Sequence, residues 1–150
     1  MKKLFVAMMA LVMLCGCSAK EVTEEALRCS VKVSCEAVLE EMDKLAEPKR
    51  ALVPEDGIML FKEDVAFSEG ETAFEVVKEL FDDEKIQFEY EKLPAYDSVY
   101  IEGIGNIYEK DAGDVSGWGY MVNGEYAATD LSKYILNDGD FIEFVYIVSF

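Results

Sequence analysis

The chain has 150 residues, and its 31 acidic side chains outnumber 14 basic ones, for a formal net charge of −17 at pH 7. A surface of this charge repels nucleic acid and anionic lipid head groups, which excludes nucleic acid as a partner. The absence of histidine excludes Ser-His and Cys-His catalysis and histidine-ligated metals, and we expect no enzymatic activity. A hydrophobic fraction of 51% indicates a packed core rather than a disordered chain.

The N-terminus has the pattern of an export signal. A short basic start is followed by an unbroken apolar run over residues 4–14, about half the ~20 residues that a membrane span requires. The run ends in Leu14-Cys15-Gly16-Cys17, which resembles the lipobox of bacterial lipoproteins. The resemblance implies cleavage after Gly16 and a diacylglyceryl group on the Cys17 thiol. Cys15 is a departure, because Ala or Ser is commoner at that position.

These signals divide the chain into a signal peptide (1–16), a lipidated tether (17–26) and one domain (27–150). Two acyl chains hold a protein on a bilayer firmly, whereas a single chain is marginal. We therefore expect an extracytoplasmic domain that is anchored to the cell membrane by lipid and displayed at the cell surface.

The domain opens with alternating apolar residues over 27–35, which predict a strand with Cys29 and Cys35 on one buried face. In a straight strand these cysteines lie roughly 20 Å apart, and a disulfide needs Cα atoms within about 7 Å. We expect two buried thiols that act as small hydrophobic residues; thiol catalysis and metal binding are weaker alternatives. Apolar residues at helical spacing over 36–44 predict a helical insertion that Pro48 ends, followed by a loop over 48–64.

The rest of the domain predicts one helix among several strands. Val65 and Phe67 alternate as a short strand, and a Thr72–Glu75 capping box opens a helix over 73–84 with one apolar stripe. Strands are predicted over 86–91, 99–101, 118–122 and 141–150, with a hairpin turn at Asn123-Gly124. The last strand is apolar on both faces, as central strands are. This order predicts an α+β fold with a mostly antiparallel sheet, one main packing helix and a helical insertion after the first strand.

From Val65 to Phe150 the sequence resembles the C-terminal domain of the cobalamin carriers transcobalamin and intrinsic factor. The resemblance is closer to the bacterial transcobalamin-like C-terminal domains of the DUF4430 type. It is carried by Glu69–Phe74, Ile101–Ile107, Ser116–Gly124 and Asn137–Phe144. It implies a β-grasp-like fold and a ligand-binding module with cobalamin as the ligand. The carriers' helical domain is not expected here, which implies a partner, such as a transporter or a surface protein, that supplies the other half-site.

The resemblance also names candidate ligand-binding residues. Two match the aromatic positions of the carriers' hairpin, although strand aromatics usually belong to a core. Three lie at or beside the hairpin turn, and one lies in a loop that matches a ligand-side loop of the carriers. Aromatic and amide groups at rigid turns suit stacking on a flat ligand and bonding to its amides. In that order the candidates are Trp118 and Tyr120; Asn123, Glu125 and Tyr126; and Tyr96.

Two hypotheses for function follow. The first is a surface-anchored, non-catalytic module that binds cobalamin or another small ligand together with a partner protein. The alternative is a structural or adhesive protein–protein interaction domain of the cell surface with no small ligand. We expect no metal site, because Asp138, Asp140 and Glu143 fit no standard calcium loop and are interpreted as a turn.

Overall fold

The computed structural model describes residues 26–149. Eight strands and two helices follow one another as β1 (Leu27–Ser34), α1 (Glu47–Arg50), β2 (Ile58–Phe67), α2 (Ala73–Glu84), β3 (Phe88–Leu93), β4 (Ser98–Ile104), β5 (Ile107–Tyr108), β6 (Gly117–Val122), β7 (Glu125–Tyr126) and β8 (Phe141–Ile147). The predicted signal peptide, Cys17 and the tether up to residue 25 lie outside the described residues. Between residues 26 and 149, neither helix has the length and apolar character needed to cross a lipid bilayer.

The strands form two sheets. The larger sheet has the order β2-β1-β8-β6-β7, and the smaller has the order β3-β4-β5. Every pairing is antiparallel except that of β1 with β8, which is parallel. Strand β8 is central, as its apolar sequence predicts, and its inward residues Ile142, Phe144 and Tyr146 are buried. The α+β prediction is confirmed, with two sheets in place of the single one expected.

Helix α2 joins the two sheets, and its start matches the prediction. The Glu75 N–H donates to Thr72 Oγ1 (3.3 Å) and the Thr72 N–H donates to Glu75 Oε2 (2.9 Å), which completes the capping box. The ring of Phe81 lies 5.1 Å from that of Phe88 in the smaller sheet and 5.7 Å from that of Phe144 in the larger. Because Phe81 is fully buried between these rings, α2 fixes the position of one sheet on the other.

The segment between β1 and β2 differs from the prediction. In place of one helix over 36–44 it contains two 3-10 turns, at Glu36–Val38 and Met42–Lys44, and then the single turn of α1. Pro48 lies in the first turn of α1 and so begins a helix rather than ending one, because the first turn needs no N–H from proline. The loop predicted over 48–64 is also wrong in its second half, since β2 already starts at Ile58.

Packing explains this departure. Val38 and Leu45 are buried with Ile107 and Tyr146 in a cluster separate from the main core, and two short turns reach this cluster where a straight helix would not. Strand β2 is an edge strand, and its residues 61–64 are all exposed. The alternation of apolar and polar residues along β2 is therefore too weak to predict the whole strand from the sequence.

The two cysteines behave as predicted. Cys29 and Cys35 are buried and are not joined in a disulfide. Burial raises the pKa of both thiols to about 11. A thiol that stays protonated is a poor nucleophile and a poor metal ligand, so both side chains serve as small core residues.

Candidate functional site

Trp118 and Tyr120 on β6 point into the molecule. The Trp118 Nε1–H donates to the Ile107 carbonyl (2.8 Å), and its ring lies 5.1 Å from that of Tyr146. The Tyr120 hydroxyl donates to the Thr129 carbonyl, and burial raises the pKa of this phenol to about 12. The polar groups of both residues are therefore bonded within the chain.

Asn123 fixes the tip of the β6–β7 hairpin to the start of β8. Asn123 and Gly124 have φ values of 52° and 85°, as the predicted two-residue turn requires. The side-chain oxygen of Asn123 accepts the Phe141 N–H (2.8 Å), and its amide nitrogen donates to Asp140 Oδ1 (2.8 Å). Both ends of this amide thus support the fold.

Asp140, interpreted from the sequence as part of a turn, proves to be the centre of a buried polar network. Its carboxylate is 5% exposed and accepts the Asn137 N–H (2.9 Å), the Tyr134 hydroxyl (3.0 Å) and the Asn123 amide (2.8 Å). Burial by itself would raise the pKa of Asp140, but these donors outweigh it and hold the pKa below the ordinary 3.8. Across residues 26–149, no group of three or more acidic or cysteine side chains is placed to hold a metal ion.

The remaining candidates are exposed. Glu125 and Tyr126 form β7, and the Tyr126 side chain is 63% exposed on the edge of the larger sheet. Tyr96 is 76% exposed in the turn between β3 and β4, where its carbonyl accepts from Lys133 Nζ (3.5 Å). The six candidates thus fall into two groups: five on the β6–β7 hairpin and Tyr96 on the β3–β4 turn.

A cleft beside Tyr96 opens at the N-terminus of α2, and we name it the α2 cleft. Its volume is about 620 Å³, within the roughly 300–1,000 Å³ typical of small-molecule sites. Apolar residues from three elements line it: Phe74, Leu93, Pro94 and Val99. Polar residues complete the lining: Thr72, Glu75, Lys92, Asp97, Ser98 and Ser132. Pro94 and Asp97 line the cleft and Tyr96 lies between them in the chain, although Tyr96 itself is not among the lining residues.

The electrostatics of the α2 cleft disfavour anions. Helix N-termini usually attract anions through free N–H groups. Here Glu75 already accepts from Thr72, while the Ala73 and Phe74 N–H groups donate to the Tyr134 (2.8 Å) and Leu131 (3.1 Å) carbonyls. The hydrogen bonds from Thr72 also lower the pKa of Glu75, so its carboxylate is ionised at neutral pH. The start of α2 therefore has few N–H groups left to bind an anion, while the charged lining residues Glu75, Asp97 and Lys92 include both signs.

The sequence alone did not reveal this cleft. Its lining is drawn from residues 72–75, 92–99 and 132, which come together only in the folded chain. Phe74 belongs to the apolar stripe that the sequence predicts for α2, yet it is only half-buried because the cleft opens over it. Such an incompletely buried aromatic residue gives no signal in the sequence pattern.

Over residues 70–147 the sequence matches the family described as "Domain of unknown function (DUF4430)". The chain belongs to the DUF4430 family. All the lining residues of the α2 cleft lie within this segment. A larger cleft of about 800 Å³ beside the start of β1 takes half its lining from residues 26–69, before the DUF4430 segment begins. We therefore regard the smaller cleft as the candidate site of the DUF4430 domain.

The fold of this chain is shared with a solved structure, that of haptocorrin. Haptocorrin in complex with Cbi is similar with a TM-score of 0.58 and 15% identity, over 81% of this chain and 25% of haptocorrin. The chain thus spans about a quarter of the length of haptocorrin. A candidate metal-binding protein from Ruminococcus gnavus ATCC 29149 aligns with a TM-score of 0.48 and 14% identity, over 83% and 99% of the two chains. No curated protein sequence matches this one. The family resemblance inferred from the sequence is confirmed, and the likeness to haptocorrin shows that the fold is shared.

Proposed function

We propose that this DUF4430 domain is a non-catalytic binding module that takes a small ligand in the α2 cleft. The observation that carries the proposal is the cleft itself, whose apolar and polar lining residues all come from the family segment, with the exposed Tyr96 lying between two of them in the chain. The order hairpin, helix, then a central strand β8 parallel to β1 supports a β-grasp-like architecture.

The proposed ligand is a cobalamin-like molecule or another small neutral or cationic compound. Haptocorrin, which shares the fold, was solved with Cbi, and the occupied N–H groups of α2 favour a ligand with neutral amides over an anionic one. An open cleft covers one side of a ligand only. A partner protein, such as a membrane transporter or a second surface protein, is therefore proposed to cover the other side.

Calorimetric and absorbance titration of the purified chain with cobalamin and with cobinamide tests the ligand. We expect measurable heat and a spectral change, and we expect Tyr96→Ala to weaken binding about fivefold, because stacking on an exposed ring contributes about 1 kcal/mol. Tyr126→Ala removes another exposed tyrosine, which lies on the edge strand β7 and not in the β3–β4 turn, and should change the affinity less than twofold. The absence of heat and of any spectral change at high micromolar ligand would overturn the corrinoid proposal. Equal losses in the two variants would overturn the assignment to the α2 cleft.

We further propose that lipid on Cys17 anchors the domain outside the cytoplasm. Cys17→Ser should move the protein from the membrane fraction to the soluble fraction, because it removes the thiol that accepts the two acyl chains. Cys15→Ser is the matched control and should leave the protein on the membrane. Cell fractionation followed by intact-mass spectrometry measures both outcomes. A wild-type mass that corresponds to an unmodified chain beginning at Met1 would contradict the anchor, as would release of the Cys15→Ser variant.

The second candidate function is a protein–protein interaction domain with no small ligand. The observation that favours it is the large apolar area on the outward face of the five-stranded sheet, where Phe61 and Tyr126 are exposed. The two functions would use different surfaces of the domain.

A further inference from the structure

The outward face of the five-stranded sheet, which we name the open face, carries an apolar patch, although every outward residue that β1 contributes to it is polar. The strand register places on it Phe61 of β2, Phe141, Val145 and Ile147 of β8, Met121 of β6 and Tyr126 of β7. The inward residues of the same strands pack in the hydrophobic clusters of residues 26–149, but none of these six outward residues belongs to either cluster.

This pattern is unusual for a sheet that faces water on one side. Such sheets normally place polar residues outward, whereas strands that are apolar on both faces are normally covered on both. Strand β8 has apolar residues on both of its faces, yet within residues 26–149 only its inward side packs against a core cluster. Phe61 is 56% exposed and meets Phe141 edge to face at 6.3 Å, so the apolar area continues from β8 out to the edge strand. Continuous apolar patches of this kind are typical of interaction surfaces.

The charged groups of the open face are already used within the chain. Lys32 Nζ pairs with Glu143 (2.9 Å) and with Glu36 (3.3 Å). The Arg28 guanidinium donates to the Asp64 carbonyl (2.8 Å). The face therefore offers little charge to an oppositely charged partner, although the whole chain carries −17. Two such acidic molecules repel each other unless they meet through a surface of low charge.

We infer that the open face is a self-association surface, on which two copies of this chain pack sheet against sheet about a two-fold axis. Such a pairing makes one patch complementary to itself and matches the face-to-face packing of two sheets about 10 Å apart. The five strands lie about 4.8 Å apart, and each has on average some seven residues with a rise of about 3.3 Å. The open face therefore measures roughly 500 Å² in the plane of the sheet. This is near the lower end of specific interfaces, where weak and transient complexes are found. The inference does not depend on the α2 cleft.

Sedimentation equilibrium of the full lipid-bearing chain in density-matched neutral detergent tests the inference. We expect a monomer–dimer equilibrium that becomes several-fold tighter as NaCl is raised, because salt screens the repulsion between the acidic copies. Ile147→Lys should leave the chain monomeric at all concentrations. Ile135→Lys is the matched control, because it makes the same change at an isoleucine that is 50% exposed and forms a β-bridge with Thr72 at the start of α2. This variant should dimerise as the wild type does.

Three results would overturn the inference. The first is a wild-type chain that stays monomeric at high salt and high concentration. This holds also if the monomeric chain binds a different protein. The second is dimerisation that tightens as salt is lowered. The third is equal dimerisation of the two lysine variants. If circular dichroism shows that Ile147→Lys does not fold, Tyr126→Lys replaces it, because that side chain is 63% exposed and belongs to neither cluster. It is expected to be monomeric for the same reason.

Discussion

Asp140→Asn is expected to destabilise the domain by about 2–4 kcal/mol at pH 7, since hydrogen bonds to a buried charged group are each worth about 1.5–3 kcal/mol. The carboxylate accepts from Asn123, Tyr134 and Asn137. An amide at position 140 would keep one oxygen but turn an NH₂ group toward other donors. The change would loosen the hairpin tip from the start of β8. Urea denaturation measures it, with Asp114→Asn, at an exposed loop aspartate, expected to change the stability by less than about 0.5 kcal/mol.

The effect of Asp140→Asn has a definite pH dependence. The pKa of Asp140 in the folded chain is lower than its ordinary 3.8, so the folded state favours the ionised form. The resulting stability is fully present above the unfolded pKa, near pH 4, and is lost as the pH falls through the lower folded pKa. The gap between the wild type and the variant should therefore narrow in strong acid. A gap of equal size at pH 7 and in strong acid would show that the ionised network is not its cause.

Phe81→Ala is expected to cost about 3–5 kcal/mol, the usual range for deleting a fully buried phenylalanine ring. Phe81 is 0% exposed and its ring contacts Phe88 and Phe144, one in each sheet. Its removal leaves a cavity at the point where α2 holds the two sheets together. Phe61→Ala deletes the same ring at a 56% exposed site and should cost less than about 1 kcal/mol. Urea unfolding measures the loss of unfolding free energy in both variants, and the denaturant slopes of the two transitions are compared. Similar losses of free energy at the two sites would argue against α2 as the central packing element.

The local signals in the sequence were reliable where a short segment contained its own structural cause. The capping box of Thr72 and Glu75 fixes the start of α2, and Asn123-Gly124 fixes the β6–β7 turn, because each motif satisfies its own backbone geometry. The alternation of β1 likewise predicts a strand with one buried face, and the apolar sequence of β8 predicts a central strand.

Other features depended on distant residues and were missed. The segment after β1 has helical spacing, but Val38 and Leu45 are drawn to Ile107 and Tyr146 of other elements, and the chain forms short turns instead. The α2 cleft and the network around Asp140 join residues from separate parts of the chain. No local pattern encodes which of those residues will meet.

The sequence by itself determined the class of this protein: its charge, its lack of histidine, its lipobox-like N-terminus, its main helix and its DUF4430 membership are all properties of residues or short segments. Only the tertiary structure decided which side chains are free to act. It bonds Trp118, Tyr120 and Asn123 into the fold, leaves Tyr96 exposed in the β3–β4 turn, and exposes Phe61 and Tyr126 on one face of the sheet. The physical reason is that burial and hydrogen-bond partners are set by contacts between residues far apart in the chain, whereas helix caps, turns and apolar periods are set by neighbours.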